Sequence, residues 1–230
     1  VRDLAEAQDA VFAVAFSPDG SKLAAAGADR VLRVYDTAKG DLVFQVEDHA
    51  DWILDVAFSP DGKLLATASR DKTSKVFDVE KKESVVTFPS HAQPVYAVLF
   101  AADGKSVVSA GGDSLARVWT IDGEAKETRK LTGFGAPVFA MTFTPDGKTL
   151  IAAGGDDKVR LFNFADGKAL RTLEGHKDWI YAVAVSPDGK TVASGSWDGE
   201  VRTWNLEDGK PLRTFLAAPG FKPAGAQASR

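Results

Sequence analysis

Residues 53–88 read ILDVAFSPDGKLLATASRDKTSKVFDVEKKESVVTF, and their pattern decides the fold. Ile53 to Phe58, Leu64 to Ala68, Ser74 to Phe77 and Val85 to Phe88 are short runs of alternating or continuous apolar residues, which is the period of strands and not of helices. Asp61-Gly62 after Pro60 is expected to supply the positive φ angles of a tight hairpin, and Arg70-Asp71-Lys72 marks the next turn. The unit is therefore four short strands. Working outward, the SPDG block or a variant of it recurs with its glycine at Gly20, Gly62, Gly104, Gly147 and Gly189, at spacings of 42, 42, 43 and 42 residues. Fifteen residues after each glycine stands an aromatic: Tyr35, Phe77, Trp119, Phe162 and Trp204. Six residues before each aromatic stands Asp29, Asp71, Asp113, Asp156 or Asp198.

Three marks holding one phase through five copies define a repeat. A single four-stranded sheet of this size buries its faces only against sheets like itself, so the pattern predicts an all-β chain, a β-propeller of four-stranded antiparallel blades. The innermost strands start near residues 11, 53, 95, 138 and 180. The outermost strands end in Leu4, Val46, Phe88, Leu131, Leu173 and Phe215, which is six outer strands for five sets of inner ones. Residues 1–4 thus read as a surplus outer strand. The propeller region is 1–215, and the Ala/Pro/Gly-rich stretch 216–230 reads as a tail.

Composition bounds the chemistry. The 230 residues carry Lys+Arg 28 against Asp+Glu 32, a net charge of −4, and no cysteine. This excludes a disulfide scaffold, cysteine-ligated zinc and a thiol nucleophile. The acidic balance and the lack of a basic run argue against nucleic acid or an anionic membrane surface as the partner. No apolar stretch is long enough to insert in a bilayer. Cytoplasmic and exported locations both fit.

Gly175-His176, Ser186-Pro187-Asp188-Gly189, Ser194, Asp198 and Trp204-Asn205 resemble a WD-repeat, in phase at five positions over residues 1–215. In that family a His, a Ser or Thr, an Asp and a Trp form a hydrogen-bonded tetrad within a blade. The resemblance implies tetrads at His176, Ser194, Asp198 and Trp204, and at His91, Ser109, Asp113 and Trp119. The second repeat has His49, Thr67 and Asp71, with Phe77 in place of Trp. Repeats one and four have Ala7 and Phe134 at the His position and Ala25 and Ala152 at the Ser/Thr position, and are expected to rely on packing and to be less rigid. With seven blades usual in the family, the surplus strand implies the C-terminal part of a longer propeller, or a ring completed by another chain.

Nothing gathers into a catalytic, metal or cofactor site. His49, His91 and His176 occupy equivalent repeat positions and do not converge on one ion. No GxSxG elbow, P-loop, HExxH or EF-hand loop occurs. Asp55 is the single charge in the innermost strands and is expected to bond a neighbouring loop.

The informative variation lies at three slots that carry partner contacts in WD-repeat proteins. The first, just ahead of the innermost strand, holds Ala10, Trp52, Pro94, Pro137 and Trp179; the second, just inside it, holds Phe12, Leu54, Tyr96, Phe139 and Tyr181. The third, ahead of the turn aspartate, holds Ala28, Arg70, Gly112, Gly155 and Trp197. Aromatics and Arg dominate interface hot spots. The expected contact residues are Trp52, Leu54, Arg70, Tyr96, Phe139, Trp179, Tyr181 and Trp197, and the expected role is a non-catalytic scaffold for protein–protein interaction. Two alternatives stand beside it: a building block completed by another chain, and a targeting module of a larger, bacterial-type enzyme or cytochrome-like protein.

Overall fold

A computed structural model of the chain describes residues 6–217. They form five four-stranded antiparallel meanders. Sheet 1 comprises β1 (Val11–Phe16), β2 (Lys22–Gly27), β3 (Val31–Asp36) and β4 (Leu42–Glu47). Sheet 2 comprises β5 (Ile53–Phe58), β6 (Leu64–Ser69), β7 (Ser74–Asp78) and β8 (Glu83–Phe88). Sheet 3 comprises β9 (Val95–Phe100), β10 (Ser106–Gly111), β11 (Ala116–Thr120) and β12 (Lys126–Leu131). Sheet 4 comprises β13 (Val138–Phe143), β14 (Thr149–Gly154), β15 (Val159–Asn163) and β16 (Ala169–Leu173). Sheet 5 comprises β17 (Ile180–Val185), β18 (Thr191–Ser196), β19 (Glu200–Asn205) and β20 (Pro211–Leu216). Sheets 1–3 belong to one compact unit and sheets 4 and 5 to a second.

The hairpin from first to second strand differs from expectation in one respect. Only its glycine has positive φ, from 65° at Gly104 to 71° at Gly62 and Gly189. The aspartate acts through its side chain instead: Asp19 accepts the Ser17 hydroxyl at 2.6 Å and the Ser21 N–H at 3.0 Å. The Gly20 N–H closes the turn on the Ser17 carbonyl at 2.8 Å.

In the first unit, Leu32, Val34 and Phe44 of sheet 1 pack on Ile53, Val56, Leu65 and Phe77 of sheet 2. Ala66, Ala68 and Val76 of sheet 2 pack on Val95, Val98, Val107 and Trp119 of sheet 3, and Phe88 lies flat on Trp119, centroids 5.0 Å apart. In the second unit, Ile151, Val159, Leu161 and Leu173 meet Ile180, Val192 and Trp204. Each fully buried Leu, Ile or Phe contributes about 1.5–3 kcal/mol, so sheet-to-sheet packing holds each unit together. Among the described residues, two faces lack this cover. Val11, Val14 and Phe16 of sheet 1 are exposed, although Ile53, Val56, Val95, Val98 and Phe100 at the same register are buried. Phe215 of sheet 5 is likewise exposed where Phe88 and Leu173 are buried.

The surplus strand expected at residues 1–4 lies outside the described residues. Strand β20 takes in Leu216, one residue into the expected tail, and the Ala217 N–H bonds the Gly199 carbonyl at 2.9 Å; the rest of 218–230 lies outside the described residues. Among the described residues no helix is long and apolar enough to cross a membrane.

Candidate functional site

The turn aspartate is the hub of every sheet. In sheet 3, His91 Nδ1 lies 3.2 Å from both Asp113 oxygens, His91 Nε2 lies 2.8 Å from Ser109 Oγ, and the Trp119 indole N–H donates to Ser109 Oγ at 3.1 Å. An ionised carboxylate only accepts, so Nδ1 carries the proton and Nε2 of the neutral ring accepts the serine O–H. The chain of donation runs from Trp119 through Ser109 and His91 to Asp113. In sheet 2, His49 joins Asp71 at 2.8 Å and Thr67 at 2.7 Å. In sheet 5, His176 joins Asp198 at 2.9 Å and Ser194 at 2.7 Å. There the Trp204 indole makes no bond to Ser194 among the described residues; it meets the His176 ring edge-on, centroids 5.8 Å apart.

Sheets 1 and 4, expected to rely on packing rather than on the histidine network, also complete their aspartate with an arginine. Asp29 takes Arg33 Nη1 at 2.7 Å and the Gln8 N–H at 3.1 Å. Asp156 takes Arg160 Nη2 at 2.6 Å and the Gly135 N–H at 2.8 Å, while Phe134 lies 5.5 Å from the Phe162 ring with Arg160 over it at 5.4 Å. A basic residue four positions after the turn aspartate recurs in every repeat: Arg33, Lys75, Arg117, Arg160 and Arg202. Sequence reasoning missed this mark, although it keeps the same phase as the others. Lys75 turns to Asp48 at 3.0 Å and Arg202 to Glu200 at 2.7 Å.

Burial pushes all five hub carboxyls up, but the converging donors outweigh it and hold Asp29, Asp71, Asp113, Asp156 and Asp198 below the usual carboxylate range. Burial lowers His91 against the pull of Asp113. His176, Asp198 and Glu200 bring ligand atoms within 4.8 Å of one another, the one such group among the described residues. Both His176 nitrogens are engaged within the sheet and Glu200 is paired with Arg202, so this is a hydrogen-bonded scaffold. Asp55 bonds a strand and not the loop expected: Oδ2 accepts the Val98 N–H of β9 at 2.9 Å, and Oδ1 the adjacent Val56 N–H at 2.9 Å. Burial raises its carboxyl to about 7 despite these bonds. With both oxygens held by backbone, it staples sheet 2 to sheet 3.

The three variable slots meet at one corner of each sheet. The third-slot N–H donates to the first-slot carbonyl in all five: Ala28 to Ala10, Arg70 to Trp52, Gly112 to Pro94, Gly155 to Pro137 and Trp197 to Trp179, at 2.8 to 2.9 Å. A bulge at the start of the first strand makes this crossing. In sheets 1, 3 and 4 the chain passes so close that a Cβ at Gly27, Gly111 or Gly154 would run into the first-slot carbonyl. Sheets 2 and 5 carry serine at this position. Ser69 Oγ donates to the Trp52 carbonyl at 2.9 Å, and Ser196 Oγ to the Asp178 carbonyl at 2.9 Å. In the same two sheets Asp51 and Asp178 accept the N–H of the following tryptophan at 2.8 Å. These cinching residues were also missed; the repeated Asp-Trp-Ile is the signal that marks them.

The corners carry side chains of different kinds. In sheets 3 and 4, Tyr96 and Phe139 are half-buried and lie over Gly112 and Gly155. In sheet 2, Trp52 is 39% exposed, Leu54 is half-buried, and Arg70 lies 4.7 Å above the Trp52 ring. In sheet 5, Trp179, Tyr181 and Trp197 are 50%, 46% and 62% exposed, and Tyr181 stacks on Phe139 at 4.9 Å.

The chain matches the WD domain, G-beta repeat family at residues 1–36, 40–78, 82–120, 125–163 and 167–205. It belongs to the WD40 repeat family, whose domains are usually non-catalytic and typically bind proteins. It is also similar to a probable serine/threonine-protein kinase, PkwA, of Thermomonospora curvata, with 49% identity over 41 residues. That match covers 18% of this chain and 6% of the kinase, about the length of one repeat.

Proposed function

We propose that the chain is a non-catalytic platform for protein–protein interaction whose contact residues are Trp52, Leu54, Arg70 and Tyr96 in the first unit and Phe139, Trp179, Tyr181 and Trp197 in the second. One observation carries this reading. The slot-to-slot backbone bond recurs in all five sheets, so the scaffold fixes the corner while its side chains vary. The variation favours exposed tryptophan, tyrosine and arginine, the residues that supply most interface energy. The buried histidines are engaged with Thr67, Ser109 and Ser194, which suits structure and leaves the corners for recognition.

The test compares the chain with a Trp52→Ala, Trp179→Ala, Trp197→Ala variant in affinity capture from an extract of the source organism. The expected result is loss of the captured proteins by about tenfold or more, since truncated hot-spot residues each cost about 2 kcal/mol or more. Trp52 and Trp179 lean on Phe12 and Phe139, so the variant's thermal midpoint is measured first and capture is run well below it. Unchanged recovery would sink the reading.

A further inference from the structure

Two corners of this chain are built to one plan and differ at the second slot, Leu54 against Tyr181, and at the third. In sheet 2 the plan is Asp51, Trp52 and third-slot Arg70; in sheet 5 it is Asp178, Trp179 and third-slot Trp197. Each tryptophan leans on an aromatic of the preceding sheet at the same tilt of 48°: Phe12–Trp52 at 5.5 Å and Phe139–Trp179 at 5.7 Å.

The sheet 2 corner shows what this niche holds. The Arg70 guanidinium lies 4.7 Å over the Trp52 ring, with Asp51 3.5 Å away as its counter-ion. In sheet 5 the third slot carries Trp197, whose ring meets Tyr181, and the cation is gone. Tyr181 meets Trp179 edge-on at 6.3 Å and Trp197 edge-on at 6.0 Å, so three exposed rings wall the corner. Among the described residues Asp178 has no ion-pair partner. A cavity of about 390 Å³ lined by Tyr181, Trp197, Gly195, Glu200 and Val201 adjoins these rings without reaching Asp178 or Trp179.

We propose that the corner formed by Asp178, Trp179, Tyr181 and Trp197 binds an arginine side chain presented by a partner protein, which takes the place that Arg70 fills in sheet 2. The ring faces are electron-rich and Asp178 is an anion, so the niche attracts a cation and repels a carboxylate or phosphate. A planar, weakly hydrated guanidinium stacks on such rings and gives up less hydration than an ammonium does. The proposal rests on the interaction reading above and adds the chemistry of what is bound.

The experiment selects a displayed heptapeptide library on the full chain, with counter-selection on a Trp179→Ala, Trp197→Ala variant. Selected peptides are then titrated by tryptophan fluorescence with their arginine intact, or replaced by citrulline or lysine. The expected outcome is a shared arginine, with citrulline weakening binding about tenfold or more and lysine by less. Asp178→Asn should weaken the arginine peptide about threefold. Trp197→Arg, which copies position 70 and therefore has a folded precedent in this chain, should abolish its binding. Tryptophan-dependent peptides without arginine, or a citrulline peptide that binds equally, would overturn the arginine assignment and leave the platform intact. If no peptide depends on the tryptophans, both fall.

Discussion

Sheets 2, 3 and 5 place a histidine between the turn aspartate and a hydroxyl of the second strand, whereas sheets 1 and 4 hand the aspartate to an arginine and keep no hydroxyl. The substitutions travel together. Where the histidine is replaced by Ala7 or Phe134, the hydroxyl is replaced by Ala25 or Ala152, whereas the third-strand aromatic varies separately, since sheet 2 keeps His49 and Thr67 with Phe77. A buried hydroxyl without its histidine would lose its main partner, and a half-satisfied network is worse than an apolar one. The difference teaches that the aspartate is the invariant requirement, because its carboxylate organises the turn backbone: the N–H of Val31, Thr73 and Glu200 each reach it within 3.1 Å. Histidine completes it in sheets 2 and 5 and arginine in sheets 1 and 4, while sheet 3 uses both, Arg117 Nη2 donating to Asp113 at 3.1 Å beside His91.

The sharpest way to break this comparison adds or removes one oxygen. Ser109→Ala in sheet 3 leaves His91 Nε2 and the Trp119 indole N–H without their shared partner. The expected cost is about 2–4 kcal/mol, since each orphaned buried group costs about 1–3 kcal/mol. Ala152→Ser introduces the same oxygen at the matching, fully buried site in sheet 4 and should destabilise by about 1–2 kcal/mol. Denaturant midpoints of the two variants measure both. If Ala152→Ser stabilises, the sheets are not two alternative solutions and the comparison fails.

Much of this was legible beforehand because phase carries it. The five glycines, aromatics and aspartates placed every strand, and the same counting located the three slots whose backbones meet at 2.8 to 2.9 Å. What stayed hidden depends on direction in space. Arg33 and Arg160 sit on strands, where a residue four positions from a turn has no evident partner until the turn folds its aspartate back over the strand. Asp55 gave no hint of Val98, because that bond joins strands of adjacent sheets 43 residues apart. The Phe88–Trp119 stack is likewise not legible in the sequence, because it joins two repeats whose relative placement only the fold supplies.

A pH series sharpens the comparison with a smaller effect. Burial holds the folded-state pKa of His91 below its ordinary value of 6.5, so on acidification the unfolded chain takes up its proton first. Stability associated with His91 is therefore present above 6.5 and is lost as pH falls below it. His91→Gln keeps an amide donor for Asp113 and an acceptor for Ser109 without titrating. Urea denaturation from pH 7.5 to 5 should show a shallower fall for this variant than for the natural chain. Equal slopes would mean that the sheet 3 network does not sense pH.

The smallest expected effect asks whether the two kinds of sheet share their turn. One residue beyond the hub aspartate the backbone is left-handed in every sheet: Arg30, Lys72, Ser114 and Asp157 have φ of 66°, 74°, 59° and 57°, and Gly199 has 80°. Only sheet 5 uses the residue suited to that conformation. The N–H of Arg30, Lys72, Ser114 and Gly199 each returns to the carbonyl three residues earlier at 3.1 to 3.2 Å, so the geometry is common to both classes. Lys72→Gly relieves side-chain crowding in a histidine sheet, and Asp157→Gly does so in an arginine sheet. Each gains about 1–2 kcal/mol from leaving a disfavoured region and returns part of it because glycine makes the unfolded chain freer. A net gain of about 0.5–1 kcal/mol is expected in both, read from thermal midpoints. Equal gains mean that strain resides in the turn alone; a gain confined to Lys72→Gly would tie the turn to the histidine and make the networks part of the backbone's design.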